Sequence, residues 1–185
     1  MTVDAFTVWG AFLMTAEGEL STDPRDAGNW TSGMCFIGTC KGTKFGISAA
    51  AYPDLDIANL TSEAALALAR RDYWTPCHCD AFPPALAVVV ADAAYTSGPL
   101  TAKRALQRAL LVTADGIIGP ETLAAVASAA VAHSVAGLRS GLEDLLVEFM
   151  AQREVYETGL SSFRTFGLGW TRRNARALMV ACTLL

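Results

Sequence analysis

Residues 17–48 read EGELSTDPRDAGNWTSGMCFIGTCKGTKFGIS, and the rest of the chain is organised around this stretch. One carboxylate, Glu17, stands at the end of an apolar helical pattern, and a second, Asp26, follows in a turn rich in Gly and Asn. Two threonines come next, Thr31 and Thr43. An Asp-Pro pair predicts a bend, and the repeated glycines allow the backbone to fold tightly, so we expect a small hairpin region here.

A carboxylate pair of this kind is typical of glycosidases. Such enzymes need two acidic or polar groups facing each other across a sugar, one protonated and one ionised or holding water. The C-terminal end of a helix carries partial negative charge, which raises the pKa of a carboxylate there and suits Glu17 to general acid catalysis. On spacing alone, a surface Glu17 that merely precedes a helix-ending Gly18 is the better interpretation.

Composition limits the classes of function. The chain has 185 residues, 52% of them hydrophobic and 17% charged, which is enough for one domain or a core with a small lobe. The net charge is −4 and no basic run exceeds two arginines, so we expect no nucleic-acid partner. The longest uninterrupted apolar run, Ala85–Ala91, is too short to span a bilayer, so no membrane insertion is expected.

Hydrophobic periodicity predicts a mainly α fold (α+β), a helical bundle with a small β-hairpin near the N-terminus. Residues 85–95 are almost wholly apolar, which predicts a central buried helix opened by prolines. Residues 142–156 carry an apolar stripe whose one charged member, Arg153, is expected to pair with an acid. Further helices are predicted at 3–16, 59–73, before 110 and at 171–182, with a short packed connection at 163–170.

Three pieces of the sequence also carry a family resemblance: Glu17-Gly18, then Asp23-Pro24-x-Asp26-x-Gly28, then Thr43-Lys44-Phe45-Gly46-Ile47-Ser48. They resemble the signature of glycoside hydrolase family 108, the N-acetylmuramidases (lysozyme-like endolysins) of phages and bacteria. The family pattern is E-G-G-aromatic followed by D-P-x-D-x-G-G-x-T-x-x-G-I-T. This chain departs from it at Glu19, Leu20 and Asn29, and an insertion after Thr31 displaces the last block.

The resemblance implies a lysozyme-like fold, with the cleft between hairpin and helices, and a reaction. The reaction is hydrolysis of the β-1,4 bond between N-acetylmuramic acid and N-acetylglucosamine in peptidoglycan. Glu17 would protonate the leaving oxygen, and Asp26 would orient water or stabilise the cationic transition state. Thr31 has the D-x-G-G-x-T spacing and is preferred as the water-positioning residue. Thr43 keeps the T-x-x-G-I context, which suits it to hold the second strand and to bind substrate.

Three aromatic residues are further substrate-binding candidates. Phe45 lies inside the matching block, while Tyr73 and Trp74 end a segment, 59–74, that resembles a family helix ending in Tyr-Trp. Their rings would stack on sugars, although aromatic residues at a helix end more often belong to a core.

The second half of the chain resembles a peptidoglycan-binding repeat between residues 106 and 122. It predicts a catalytic lobe at 1–97 and a helical lobe at 98–185, packed as one compact unit. A purely structural role explains the same residues, because Asp115-Gly116 is a turn and Pro120 opens a helix.

Five cysteines lie at Cys35, Cys40, Cys77, Cys79 and Cys182. Disulfides at the insertion, or between it and the later pair, and free thiols are equally good interpretations. A four-thiolate zinc site is a weaker one, because Cys-x-Cys fits structural zinc spacing poorly. The two histidines form no His-Glu-x-x-His pattern, and no phosphate-binding glycine loop is present, so no metal or cofactor is expected. A Cys79–His133 nucleophile has no local signature.

Two rival functions stay open: a lytic transglycosylase, and a cell-wall-binding protein whose catalytic site has decayed. The expected partner is the peptidoglycan glycan strand. The N-terminus lacks a basic segment and a small-x-small cleavage site, which predicts synthesis in the cytoplasm without a standard signal peptide. Action in the periplasm or on the cell wall would then require a holin or secretion machinery, and an effector role would add an immunity protein.

Overall fold

The structure is a computed structural model that describes residues 4–16, 20–132 and 141–185. By packing, the chain divides into two compact units. Residues 10–69 form the first, which we call the hairpin unit. Residues 1–9 together with 70–185 form the second, the helical unit.

The described residues form seven α-helices and one two-stranded antiparallel hairpin, which confirms the mainly helical fold with a small hairpin. The helices are α1 (Ala5–Ala16), α2 (Ser62–Ala69), α3 (Pro84–Ser97), α4 (Pro99–Ala109), α5 (Pro120–Val131), α6 (Gly141–Thr158) and α7 (Phe163–Cys182). The strands are β1 (Thr43–Lys44) and β2 (Ile47–Ser48). A π-helical turn, Arg70–Trp74, follows α2 directly, and short 3-10 turns cover Ala27–Asn29, Thr75–Cys77 and Cys79–Ala81.

The hairpin closes through a two-residue loop, Phe45-Gly46. Both residues have positive φ, 53° and 73°, as a type I′ turn requires. The register pairs Thr43 with Ser48. On its other edge Thr43 exchanges two backbone hydrogen bonds with Ser21, each 2.9 Å long. Thr43 is therefore the middle of three paired segments.

The hairpin unit has its own apolar core. Ile47 from β2, Ile57 and Leu60 from the following loop, and Ala65 from α2 are all buried in it, and Phe45 packs against its edge. The strand, the loop and α2 are thus held together by one cluster.

Helix α3 is the buried centre of the helical unit, as its apolar sequence predicted. Nearly all its residues from 85 to 94 are apolar and buried, and it packs against α4, α6 and α7. Helix α3 begins at Pro84. Proline lacks a backbone N–H, but the first N–H of a helix has no intrahelical acceptor, so its absence costs no hydrogen bond. Gly98 ends it with a φ of 84°, a conformation that favours glycine.

One charged residue, Asp92, lies fully buried within α3. Its carboxylate accepts hydrogen bonds from Arg153 and from Arg173, each at 2.9 Å, and Arg153 also binds Glu157 at 3.1 Å. Buried charges require such partners. The network joins α3 to α6 and α7, and it confirms the prediction that Arg153 pairs with an acid.

The segment that resembles a peptidoglycan-binding repeat is organised around a buried amide, Gln107. Its Nε2 donates to Asp115 Oδ1 at 2.7 Å and to the Ile117 carbonyl at 3.0 Å, and its Oε1 accepts the Gly116 N–H at 2.7 Å. These bonds shape the turn between α4 and α5. These structural hydrogen bonds explain why the segment contains Gln107, Asp115 and Gly116, and wall binding by the segment stays a prediction.

The last helix is longer than the sequence predicted. Helix α7 begins at Phe163, so the expected connection at 163–170 is wrong. The prediction was misled by Gly167 and Gly169, which are poor helix formers. A Cβ on Gly167 would lie 2.8 Å from the Phe163 ring, so the glycine allows that ring to pack on the helix.

The division by packing differs from the predicted lobes at 1–97 and 98–185, because α3 packs with the helices that follow it. The functional boundary at residue 97 stays a prediction. Within the described part of the chain, no helix has both the length and the apolarity needed to cross a bilayer.

Candidate active site

The turn before Asp26 is held by four side chains. Each backbone carbonyl from Thr22 to Arg25 accepts a hydrogen bond from a side chain that follows in the sequence. The donors are Cys40 Sγ to Thr22 at 3.8 Å, Asn29 Nδ2 to Asp23 at 2.9 Å, Trp30 Nε1 to Pro24 at 2.9 Å and Cys35 Sγ to Arg25 at 3.3 Å. Such bracing restricts the motion of the backbone that carries Asp26.

Asp26 itself is exposed at the start of the 3-10 turn Ala27–Asn29. Its Oδ1 accepts the backbone N–H of Gly28 at 2.9 Å, the local bond that Asp commonly makes in turns. Among the described residues it forms no ion pair. Asp26 is thus an oriented carboxylate, open to solvent, that an incoming group can reach.

The neighbouring carboxylate, Asp23, is in a different state. Arg25 binds it through two side-chain contacts, of 2.7 and 3.0 Å, and through its backbone N–H at 3.0 Å. These hydrogen bonds lower the pKa of Asp23 to about 2. Asp23 is therefore ionised and paired near neutral pH, which leaves Asp26 as the carboxylate of this turn available for chemistry.

Thr31 is half-buried and its hydroxyl has a structural contact. Its Oγ1 accepts the backbone N–H of Thr39 at 3.0 Å, and its own N–H donates to the Thr39 carbonyl at 3.0 Å. These two bonds close the base of the insertion. A hydroxyl has one donor and two acceptor sites, so Thr31 retains its hydrogen and a second lone pair for a water molecule.

Thr43 differs from Thr31 in this respect. Its backbone is fixed on both edges of β1, and its side chain is half-buried. Within the described ranges, no hydrogen bond reaches its hydroxyl. Both threonines lie in the hairpin unit together with Asp26. The Thr31 hydroxyl braces the insertion, whereas the Thr43 hydroxyl has no such role among the described residues.

Glu17 lies outside the described residues. It follows Ala16, the last residue of α1, directly in the chain. Its role as the general acid, and the effect of a helix end on its pKa, stay predictions from the sequence.

Among the aromatic candidates, Phe45 is half-buried, with a φ of 53° and the Lys44 Nζ 5.4 Å from its ring centroid. Tyr73 belongs to the helical unit and is half-buried against Tyr95, with ring centroids 4.8 Å apart. Both side chains keep part of their surface open to solvent, and substrate contact by them stays a prediction.

Trp74 is 1% exposed. Its ring lies against Phe6 and Trp9, with centroids 5.3 and 5.8 Å away, and its Nε1 donates to Asp80 Oδ1 at 2.8 Å. Because both faces of the indole are covered by protein, a core role replaces the sugar-stacking interpretation of this residue.

The hairpin unit also contains a cavity of about 380 Å³ that the sequence did not predict. Its polar groups include Asp54, Asp56 and Lys41. Hydrogen bonds from Asn59 hold the pKa of Asp56 below its usual value, so this carboxylate is a ready acceptor. The signal in the sequence was the turn Tyr-Pro-Asp-x-Asp at 52–56. The cavity is lined by Leu20, Thr22, Cys40, Lys41, Asp54, Asp56, Ile57 and Ala58.

All five cysteines are free thiols. Cys35 and Cys40 contact separate carbonyl oxygens, so the insertion is closed by hydrogen bonds where a disulfide was one expectation. The hydrogen bond with Cys77, together with burial, raises the pKa of Cys79 far above its usual value, which makes Cys79 a poor nucleophile. His133, its proposed partner, lies outside the described residues. In the part of the chain described, no three His, Cys, Asp or Glu side chains gather into a metal site.

Comparison with known proteins finds one matching family and a structural relative. Residues 11–98 match the family Glycosyl hydrolase 108. The solved structure of SagA from Brucella abortus is 28% identical, with a TM-score of 0.77 over 97% of this chain and 94% of that one, and it is among 11 matching chains. No curated protein matches. The matched range contains Glu17, Asp26, Thr31, Thr43, Phe45, Tyr73 and Trp74.

Proposed function

We propose that this protein is an N-acetylmuramidase, because residues 11–98 match the family Glycosyl hydrolase 108. It hydrolyses the β-1,4 bond between N-acetylmuramic acid and N-acetylglucosamine in peptidoglycan. Glu17 is the general acid, and Asp26 is the second carboxylate. The observation that carries the proposal is the oriented, solvent-open Asp26 on a braced turn inside the matched range.

In this mechanism the two carboxylates have different tasks. Glu17 donates its proton to the leaving glycosidic oxygen, and positive charge develops on the sugar that remains. Asp26 either holds the attacking water or stabilises that charge, and a threonine hydroxyl completes the site, Thr31 preferred over Thr43. Fixed geometry matters here, because orientation of reacting groups accounts for much of enzymatic acceleration.

The cavity beside the turn supports substrate binding. Cys40 and Thr22, which line it, are the same pair whose thiol–carbonyl contact braces the Asp26 turn. Asp54, Asp56 and Lys41 supply polar groups for the hydroxyl and acetamide groups of a sugar. A volume of about 380 Å³ falls within the usual size of ligand sites.

Mass spectrometry of purified peptidoglycan digested by the protein tests the proposal. Muramidase action gives fragments with a reducing N-acetylmuramic acid end. Anhydro-muramic ends would instead establish a lytic transglycosylase, and intact glycan strands with protein bound to them would establish a wall-binding protein. Asp26→Asn keeps an oxygen for the Gly28 N–H but removes the charge, so we expect it to reduce turnover while the protein stays folded.

The remaining proposals follow from the substrate. The glycan strand is the partner, and the site of action is the periplasm or the cell wall, reached through a holin or secretion machinery. Residues 98–185 form the helical lobe that we propose adds affinity for the wall. We expect Asp26→Asn to keep this affinity for the wall. Binding of that variant to insoluble peptidoglycan therefore measures wall affinity independently of catalysis.

A further inference from the structure

The insertion after Thr31 ends in an apolar loop, residues 33–38, with the sequence GMCFIG. Three of its side chains point largely to solvent: Met34 is 54% exposed, Phe36 70% and Ile37 52%. Exposed apolar side chains that cluster on one loop commonly mark a binding surface.

The apolar loop is nevertheless well braced. The Ser32 hydroxyl donates to the Ile37 carbonyl at 2.7 Å and accepts the Met34 N–H at 3.1 Å, and the Ile37 N–H donates to the Met34 carbonyl at 3.2 Å. Phe36 adopts a φ of 65°, which a bulky residue rarely does. A strained backbone that holds an aromatic ring in solvent is characteristic of a functional position.

Two contacts tie the apolar loop to the Asp26 turn. The Phe36 ring lies against Trp30, with centroids 5.6 Å apart and planes inclined by 55°, and Trp30 Nε1 is bonded to the Pro24 carbonyl. Cys35, next to Phe36, is bonded to Arg25, next to Asp26. The exposed ring is therefore fixed relative to the carboxylate.

We infer that the apolar loop is a platform for an N-acetylated glycan strand, with Phe36 as its main contact. The ring face packs on the C–H face of a sugar, and Met34 and Ile37 contact acetamide methyl groups. The assignment rests on the proposed function. A lipid surface is the less suitable occupant, because the chain has a net charge of −4 and carries Asp54 and Asp56 in the same unit.

The test uses the full chain and soluble oligosaccharides of alternating N-acetylglucosamine and N-acetylmuramic acid. Phe36→Asn removes the ring and keeps a residue that tolerates positive φ, while Phe36→Tyr retains the ring as the matched control. We expect Phe36→Asn to raise KM roughly fivefold to tenfold with little change in kcat, the scale of one lost aromatic contact. Phe36→Tyr should match the wild type, and the melting temperature of Phe36→Asn should not fall.

An unchanged KM in Phe36→Asn would overturn the platform while leaving the hydrolase intact. If the wild type does not cleave, co-sedimentation with insoluble peptidoglycan replaces KM as the readout. Loss of that binding in Phe36→Asn then supports the platform without the reaction, and equal binding overturns it. Binding to anionic phosphatidylglycerol vesicles that depends on Phe36 would instead assign the loop to lipid.

Discussion

The Sγ of Cys35 lies 3.3 Å from the carbonyl oxygen of Arg25, so a residue of the insertion directly supports the turn that presents Asp26. The insertion after Thr31 is therefore part of the candidate site. The thiols of Cys35 and Cys40 act as hydrogen-bond donors to this turn, so oxidation or alkylation of these thiols would alter the position of the Asp26 carboxylate.

Because the five thiols are free, a reductant should leave the melting temperature unchanged, and a thiol reagent should label five cysteines in the unfolded protein. A native disulfide typically contributes about 2–4 kcal/mol, so its reduction would be readily visible. A lower melting temperature in reductant, together with only three labelled cysteines, would establish a Cys35–Cys40 or similar pairing.

Replacing Glu17 with Gln should reduce peptidoglycan turnover by about 10²- to 10⁴-fold, the usual contribution of general acid catalysis. The wild-type rate should fall on the alkaline side of its pH profile as the acid loses its proton. Glu19→Gln, two positions along the chain, is the matched control and should retain activity. Wild-type turnover in Glu17→Gln would refute the mechanism.

The Asp23–Arg25 pair gives a pH signature. The pKa of Asp23 is lowered from 3.8 to about 2, so its contribution to stability is present above pH 3.8 and is lost as the pH falls towards 2. Melting curves of wild type and Asp23→Asn should therefore converge between these values. Curves separated by a constant amount across this range would mean that Asp23 titrates normally.

The two threonines can be compared at equal stability. Thr31→Val removes the acceptor for the Thr39 N–H, so it should cost about 1 kcal/mol as well as turnover, whereas Thr31→Ser keeps the hydroxyl and should preserve both. Thr43→Val should affect turnover less. If Thr43→Val is the more damaging change once stability is matched, Thr43 is the water-positioning residue.

Arg153→Met should destabilise the helical unit by about 3–5 kcal/mol in urea unfolding, because Asp92 and Glu157 remain buried without it. The exposed Arg176→Met serves as the control and should change the free energy of unfolding by less than about 0.5 kcal/mol. A small effect of Arg153→Met would mean that water enters and solvates the two carboxylates.

Patterns that repeat along the sequence predicted the fold best. The apolar run of α3, the stripe of α6 and the glycine-rich hairpin each have a regular period or a turn signal, and each was found where expected. The start of α7 was missed because Gly167 permits a close contact with Phe163 that no local propensity reveals. The π-helical turn after α2, which carries the buried Trp74, was not predicted either, because the sequence indicated one continuous helix there.

The candidate site was only partly predictable. The turn that carries Asp26 was predicted because Asp-Pro and the nearby glycines are a strong local signal, while the catalytic role of Asp26 stays a prediction. The side-chain donors that hold that turn were not, since Asn29, Trp30, Cys35 and Cys40 act through contacts that spacing does not specify. Asp54 and Asp56 were not predicted as site residues. They meet Lys41 in one cavity only because of how the loop folds, which their spacing in the sequence does not specify.

The buried network of the helical unit also affects how the chain folds during synthesis. Asp92 is translated early, but its two arginine partners follow 61 and 81 residues later. Until Arg153 has left the ribosome, α3 would have to bury an unpaired charge to reach its final position, and the network is complete only once Arg173 follows. The helical unit therefore completes its folding only near the end of translation, and a ribosome stalled before α7 would hold a nascent chain in which the apolar helix α3 lacks one of its packing partners, a natural target for chaperones.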